Sequence, residues 1–195
     1  ILGAVAAIGQ TNIKRLIAYS SIGHIGFALA GISTGSTTGY TSSIFYMSIY
    51  VIMNLGVFSC IFLMKKDGKY CEDIEDLSGI SKQNPLLAIS FLIIMFSLAG
   101  IPPLAGFFAK FYVFMSVIES KMYTLAIVGL LSTVISAFYY LRIIKIIYFD
   151  DAKEQFDYTK NLGISTTLFL SSLILATFFL YPSFLNSIVE TLIIN

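Results

Sequence analysis

Charge is what this sequence has least of. Lys, Arg, Asp and Glu make up 12% of its 195 residues, about half the roughly 25% usual in a soluble domain. There is no Trp, one His, two Cys and four Pro. A net charge of only +1 gives nucleic acid, or any strongly charged partner, little to recognise. Cys60 lies in an apolar run and Cys71 in a charged loop, with no C-x-x-C and no His beside them. Neither a disulfide framework nor a metal centre is indicated. Also missing are a strand-linked G-x-G-x-x-G, a phosphate-binding G-x-x-x-x-G-K-[ST], a G-x-S-x-G elbow and any Cys/His cluster for zinc or iron–sulfur. If the chain serves an enzyme, the redox chemistry lies elsewhere.

What is present is apolar. Hydrophobic residues reach 57% and aromatics 15%, 17 of them Phe, and the mean hydropathy is +0.85. A soluble fold of this length cannot hide so much apolar surface from water, so the composition predicts a membrane protein. The opening ILGAVAAIG has no initiator Met, no basic region and no cleavage site. It is about half the length of a crossing, and the chain is expected to be a fragment.

Apolar runs of about the 20 residues needed to cross divide the chain into one membrane domain, 1–195. After the partial span Ile1–Gly9 come Ile13–Ile32, Ile44–Met64, Pro85–Ile118, Tyr123–Phe149 and Leu162–Tyr181. No two-residue alternation suggests a barrel, so the expected class is all-α, a polytopic transmembrane helix bundle. If each run crosses once, one side receives Lys14, Arg15, Lys65, Lys66, Lys69, Lys82, Arg142, Lys145, Lys153 and Lys160, and the other only Lys121. The positive-inside rule places the first side in the cytoplasm or the mitochondrial matrix. A hairpin within Pro85–Ile118 would weaken this bias, leaving seven cations against four. The run is better read as one crossing by a broken helix.

The break is written at Gly100-Ile101-Pro102-Pro103. Two prolines remove two backbone donors, which predicts that the carbonyls from Phe96 to Ala99 lose their helical partners. Pro102 and Pro103 suit the first turn of a second half-helix. Such discontinuous helices mark ion sites in many transporters, with a packed proline kink as the plainer alternative. Lys110 follows Pro103 by seven residues, with uncharged neighbours one turn away. A lysine at this depth costs about 2.5–3.5 kcal/mol on insertion scales, and the span's end is further than it can comfortably snorkel. Its position suits a group that switches between charged and neutral forms. His24, with Ser20 and Ser21 one turn before it, forms a polar stripe on an apolar helix. It reads equally as a proton relay or a packing histidine. Asn54 reads as glue between helices. Lys14 and Arg15 read as anchors, and Arg142 and Lys145 as end-of-helix cations.

QTNIKRLIAYSSIGHIGFALAG, EDIEDLSGISKQNPLLA, LAGIPPLAGFFAKFYVF and AFYYLRIIKIIYFD together resemble the N-type antiporter-like subunits of proton-pumping NADH:quinone oxidoreductase, respiratory complex I. GIPPLAGF is shared by all antiporter-like subunits and by the multisubunit Na+/H+ antiporters. The AKFYVF continuation is N-like, since M-type relatives tend to carry Glu at the place of Lys110. The stretch FYMSIYVIMNLGVFSC lacks the His and Lys of L-type relatives.

The resemblance implies a fourteen-helix fold of two inverted repeats, with this chain holding the end of helix nine and helices ten to fourteen. Lys110 matches the terminal lysine of a central hydrophilic axis, His24 a polar position near it, and Lys14 an IKR motif with a structural or gating role. The Glu of helix five and the lysines of helices seven and eight would precede Ile1. The resemblance also implies partners in the other membrane subunits, with NADH, FMN, iron–sulfur clusters and quinone bound by other subunits and no cofactor or metal here. Protons and bound water would be the cargo, in a multi-pass protein of the bacterial or mitochondrial inner membrane. A subunit of a Na+/H+ antiporter, or a non-conducting structural fragment, are the alternatives.

Overall fold

The computed structural model describes residues 1–66, 68–152, 157 and 161–180. Its helices are α1 (Leu2–Ile8), α2 (Ile13–Ile32), α3 (Thr37–Leu63), α4 (Ile80–Gln83), α5 (Pro85–Ala99), α6 (Ala105–Glu119), α7 (Tyr123–Phe149) and α8 (Leu162–Thr177). A minimal hairpin pairs β1 (Lys65–Lys66) with β2 (Lys69–Tyr70), and a 3-10 turn, Phe178–Leu180, prolongs α8. The protein is a helical membrane bundle. Among the described residues, α2, α3, α7 and α8 with its 3-10 turn are long and apolar enough to cross a bilayer.

Side-chain caps fix where several helices begin. Asn12 accepts from the amides of Lys14 and Arg15 at α2, Ser36 from Gly39 at α3, Asn84 from Leu87 at α5 and Asn161 from Ile164 at α8. Each cap satisfies first-turn donors that the helix cannot use itself. The Ser36 cap corrects the expected start of the second full span. α3 begins at Thr37, ahead of Ile44, because Thr37–Ser43 continue the helix despite their polarity. Pro85 occupies the first turn of α5, where its missing N–H costs nothing. At the other end of the chain, Tyr181 of the expected last span lies outside the described residues, as do Lys153 and Lys160 of the charge tally.

α3 is the hub. It packs against α2, α5, α6 and α8, while α7 closes the bundle against α1 and α5. Phe45, Tyr46, Ile49, Met53, Val57 and Ile61 of α3 are all buried in the core. Small residues bring α2 and α3 together: a Cβ at Gly39 would strike the Gly31 carbonyl, and Ser43 donates to the Ala28 carbonyl at 2.8 Å. The outer faces carry exposed Leu29, Leu55, Val134, Phe138 and Phe169, which suits contact with lipid rather than water.

The loop after α3 is pinned to the α1–α2 junction. The Ile13 amide donates to the Glu72 carbonyl and the Ile74 amide to the Thr11 carbonyl, both at 2.8 Å. Lys14 Nζ lies 2.6 Å from Glu72 Oε1, and Asn12 Nδ2 donates to Glu72 Oε2 at 3.1 Å. Further along, Arg142 donates to the Ile8 carbonyl at the end of α1, and Lys145 pairs with Asp150. Lys14 therefore clamps a loop, and it shares no contact with the buried polar groups described below.

The Lys14 and Asn12 hydrogen bonds, with the Lys14 charge, hold the Glu72 carboxyl below its ordinary value of 4.5. A lowered carboxylate contributes its stability above the unfolded value and loses it as pH falls through the folded one. A nitroxide carried by Lys69→Cys should therefore keep its mobility from neutral pH down to 4.5 and loosen only below. Lys14→Ala should loosen it at neutral pH. Unchanged spectra in Lys14→Ala would refute the clamp.

Candidate functional site

The chain cannot stay helical through Ile101-Pro102-Pro103. Each residue before a proline is disfavoured in the α region, which covers both Ile101 and Pro102. The second half-helix consequently starts at Ala105, and the two prolines, joined by a cis bond, lie in the turn before it. This corrects the expectation that they form its first turn.

The open end of α5 is closed in two ways. Gly100 adopts the left-handed conformation, φ 84° and ψ 40°. Its amide donates to the Ser97 carbonyl and the Ile101 amide to the Phe96 carbonyl, each at 3.0 Å, the pattern of a Schellman motif. Phe96 and Ser97 thus keep backbone partners, contrary to expectation. Leu98 and Ala99 do not. Their carbonyls accept from Lys110 Nζ, both at 3.0 Å.

Lys110 reaches them because helical side chains lean toward their own N-terminus, here back over the break. It is 5% exposed. Two glycines make room. A Cβ at Gly100 would stand 2.9 Å from Lys110 Cδ, and one at Gly106 would run into the Ser97 carbonyl. α6 has no side-chain cap of its own. Instead its Gly106 amide donates to Ser97 Oγ at 3.0 Å, and Ser97 donates to Met53 Sδ at 3.2 Å. The two half-helices are tied by one serine above and one lysine below.

A second buried group lies on α2, α3 and α7. His24 Nδ1 is 2.7 Å from the Tyr46 hydroxyl and Nε2 is 3.0 Å from the Tyr140 hydroxyl. The Tyr50 ring stacks on the imidazole at 4.6 Å. Ser20 hydrogen-bonds the Tyr140 hydroxyl. Phe27, one turn beyond His24, joins the two groups. Its ring centroid is 5.3 Å from Lys110 Nζ and 5.8 Å from the Tyr46 ring. Of the residues singled out from sequence, Lys110 and Gly100 meet at the break, and His24 and Ser20 meet in the tyrosine cluster. Ser21 stays out, donating to the Ile17 carbonyl of its own helix, and Asn54 likewise donates to Tyr50 within α3. Tyr46, Tyr140, Ser97 and Phe27 were not singled out. The one signal available was Tyr46 and Tyr50, four apart in an apolar run, since a buried tyrosine hydroxyl needs a partner.

A family model described as NADH:quinone oxidoreductase/Mrp antiporter, TM matches residues 1–136. The chain belongs to that family. The matched region holds Lys110, the break, His24 and Tyr46, with Tyr140 just beyond it. Among curated relatives, NADH-quinone oxidoreductase subunit N of Pelagibacter ubique is 62% identical over 97% of this chain and 40% of its own length. The Rhodospirillum rubrum subunit N is 51% identical over 94% of this chain and 38% of its own. The chain thus spans about 40% of the length of the curated relatives it matches. Among solved structures, respiratory complex I from Thermus thermophilus with bound Aureothin superposes with a TM-score of 0.83 at 27% identity, over 95% of this chain and 42% of that one. The Mrp complex of a Dietzia species reaches 0.87 at 20% identity, over 100% and 45%, a likeness of fold alone.

Gly100 is under two constraints, a positive φ and the Lys110 side chain against it. Gly100→Ala should therefore destabilise the bundle by about 1–3 kcal/mol. Gly26→Ala, where a Cβ meets nothing within 4 Å, should be neutral or stabilising by up to about 1 kcal/mol. Thermal melts followed by circular dichroism in detergent check the pair, and equal melting temperatures would refute the account.

Proposed function

We propose that this chain forms the lysine-bearing part of a subunit N of NADH:quinone oxidoreductase and moves protons across a bacterial inner membrane. NADH, FMN, iron–sulfur clusters and quinone belong to other subunits of that complex, and the redox steps happen there. The observation that carries this reading is the amine of Lys110, buried at a helix break and bonded to two backbone carbonyls. A protonated amine has three N–H donors and a neutral one has two. Leu98 and Ala99 need two. Both forms can therefore keep both carbonyls satisfied, and the third proton comes and goes without opening the backbone. A group held in this way can pass a proton without rebuilding the fold around it.

α5 and α6 together form one broken crossing, which puts the cationic loops on the cytoplasmic side. His24, Tyr46, Tyr140 and Ser20 form the polar route next to it, completed by bound water. A charge change relayed from neighbouring subunits supplies the drive, by altering the balance between the two forms of Lys110. The relatives named subunit N support this reading over a Na+/H+ antiporter, for which the support is a shared fold.

Lys110→Met keeps the length of the side chain and removes the proton site. Carried in the assembled complex and reconstituted in vesicles, it should lower NADH-driven proton pumping at least severalfold. Wild-type pumping and stoichiometry in that variant would refute the proposal. Sodium-driven proton movement without NADH would mark an antiporter instead.

A further inference from the structure

The two carbonyls that hold Lys110 keep an N–H donor in either form, and as negative dipole ends at the close of α5 they already favour the ammonium. Among the described residues, no carboxylate forms an ion pair with it. A second contact discriminates as well. Lys110 Nζ stands over the Phe27 ring at 5.3 Å from its centroid, within the distance at which an aromatic face attracts a cation. The ring's quadrupole acts on an ammonium and offers an uncharged amine only weak contact.

The ring is held in place from several sides. Phe27 is 7% exposed. Phe114 of α6 meets it edge-on at 5.8 Å, and Tyr46 of α3 packs against it at a 45° tilt. It sits one turn from His24 on α2. Of the titratable groups, Lys110 on α6 and Tyr46 on α3 meet the ring itself, while His24, one turn away on α2, is the group that Tyr50 of α3 and Tyr140 of α7 pack against. On another side it borders an apolar cavity of about 220 Å³ with Gly26, Val113 and Gly129.

We infer that Phe27 is the positioning residue that senses the charge of Lys110: its ring face stabilises the ammonium, and so sets how readily this lysine takes up and gives up its proton. The inference rests on the proton-moving reading of Lys110 above. In a desolvated site a cation–π contact changes the ratio of charged to neutral amine by roughly tenfold or more. The same ring touches Tyr46, the partner of His24, so the charge on the amine is also felt at the imidazole cluster.

The test separates the ring's electrons from its bulk. Phenylalanine carrying one, two or three fluorines is placed at position 27 of the assembled complex by stop-codon suppression. Each fluorine weakens the face quadrupole while barely changing volume, and the adjoining cavity accommodates it. NADH-driven proton uptake per NADH oxidised is then measured in vesicles as a function of pH, beside Lys110→Met, Phe27→Leu and Phe27→Trp. The expected result is that the pH profile of pumping moves stepwise toward lower pH with each fluorine, by about one unit at three, the tenfold change in the charged-to-neutral ratio, with Phe27→Leu at that end and Phe27→Trp near wild type. A flat fluorine series with Lys110→Met impaired would overturn the role of Phe27 and leave the lysine reading standing. Wild-type pumping in Lys110→Met would overturn both.

Discussion

The contact on which the rest depends is a lysine closing the end of a helix in its own chain. A helix interrupted inside a packed bundle leaves backbone carbonyls with no water to satisfy them. Here four need partners. A glycine in the left-handed conformation returns two to backbone amides, and Lys110 takes the other two. The break and the buried amine thus stabilise each other. Without the break the amine would have no acceptors, and without the amine the carbonyls of Leu98 and Ala99 would be left bare.

The same economy appears on the other half-helix. α6 begins without a capping side chain, and its orphan amide at Gly106 is met by Ser97 of α5. α3 then holds both, through the contact of Met53 with Ser97. Short half-helices are weak on their own. These become rigid because their ends are finished by one another and by the hub helix beneath them.

What could be read from sequence divides along the same line. The break, its lysine and the polar stripe of α2 are local, written in consecutive residues, and were legible. So was the helical membrane class, which needs only composition and run length. The register of the prolines was misjudged because the restriction on residues preceding proline outweighs the preference of proline for a first turn. The cap at Ser36 was missed because hydropathy ignores polar residues that are nonetheless helical. The partners of His24 were beyond local reading altogether. Tyr46 lies 22 residues away and Tyr140 116, and only the packing of α2, α3 and α7 makes them neighbours. Ser21, adjacent to Ser20, failed to join them because successive residues on a helix point about 100° apart.

His24 is gripped at both nitrogens, and that has a consequence of its own. A neutral imidazole donates from one nitrogen and accepts at the other. With a tyrosine hydroxyl at each end, one tyrosine must give its hydrogen to the ring while the other receives one. Exchanging the tautomer reverses both roles at once, and turns the hydroxyl of Tyr140 relative to Ser20. The cluster therefore has a polarity, two mirror orderings of the same atoms, and passage of one proton leaves it in the opposite ordering. Such a chain must be turned back before it can carry a second proton in the same direction.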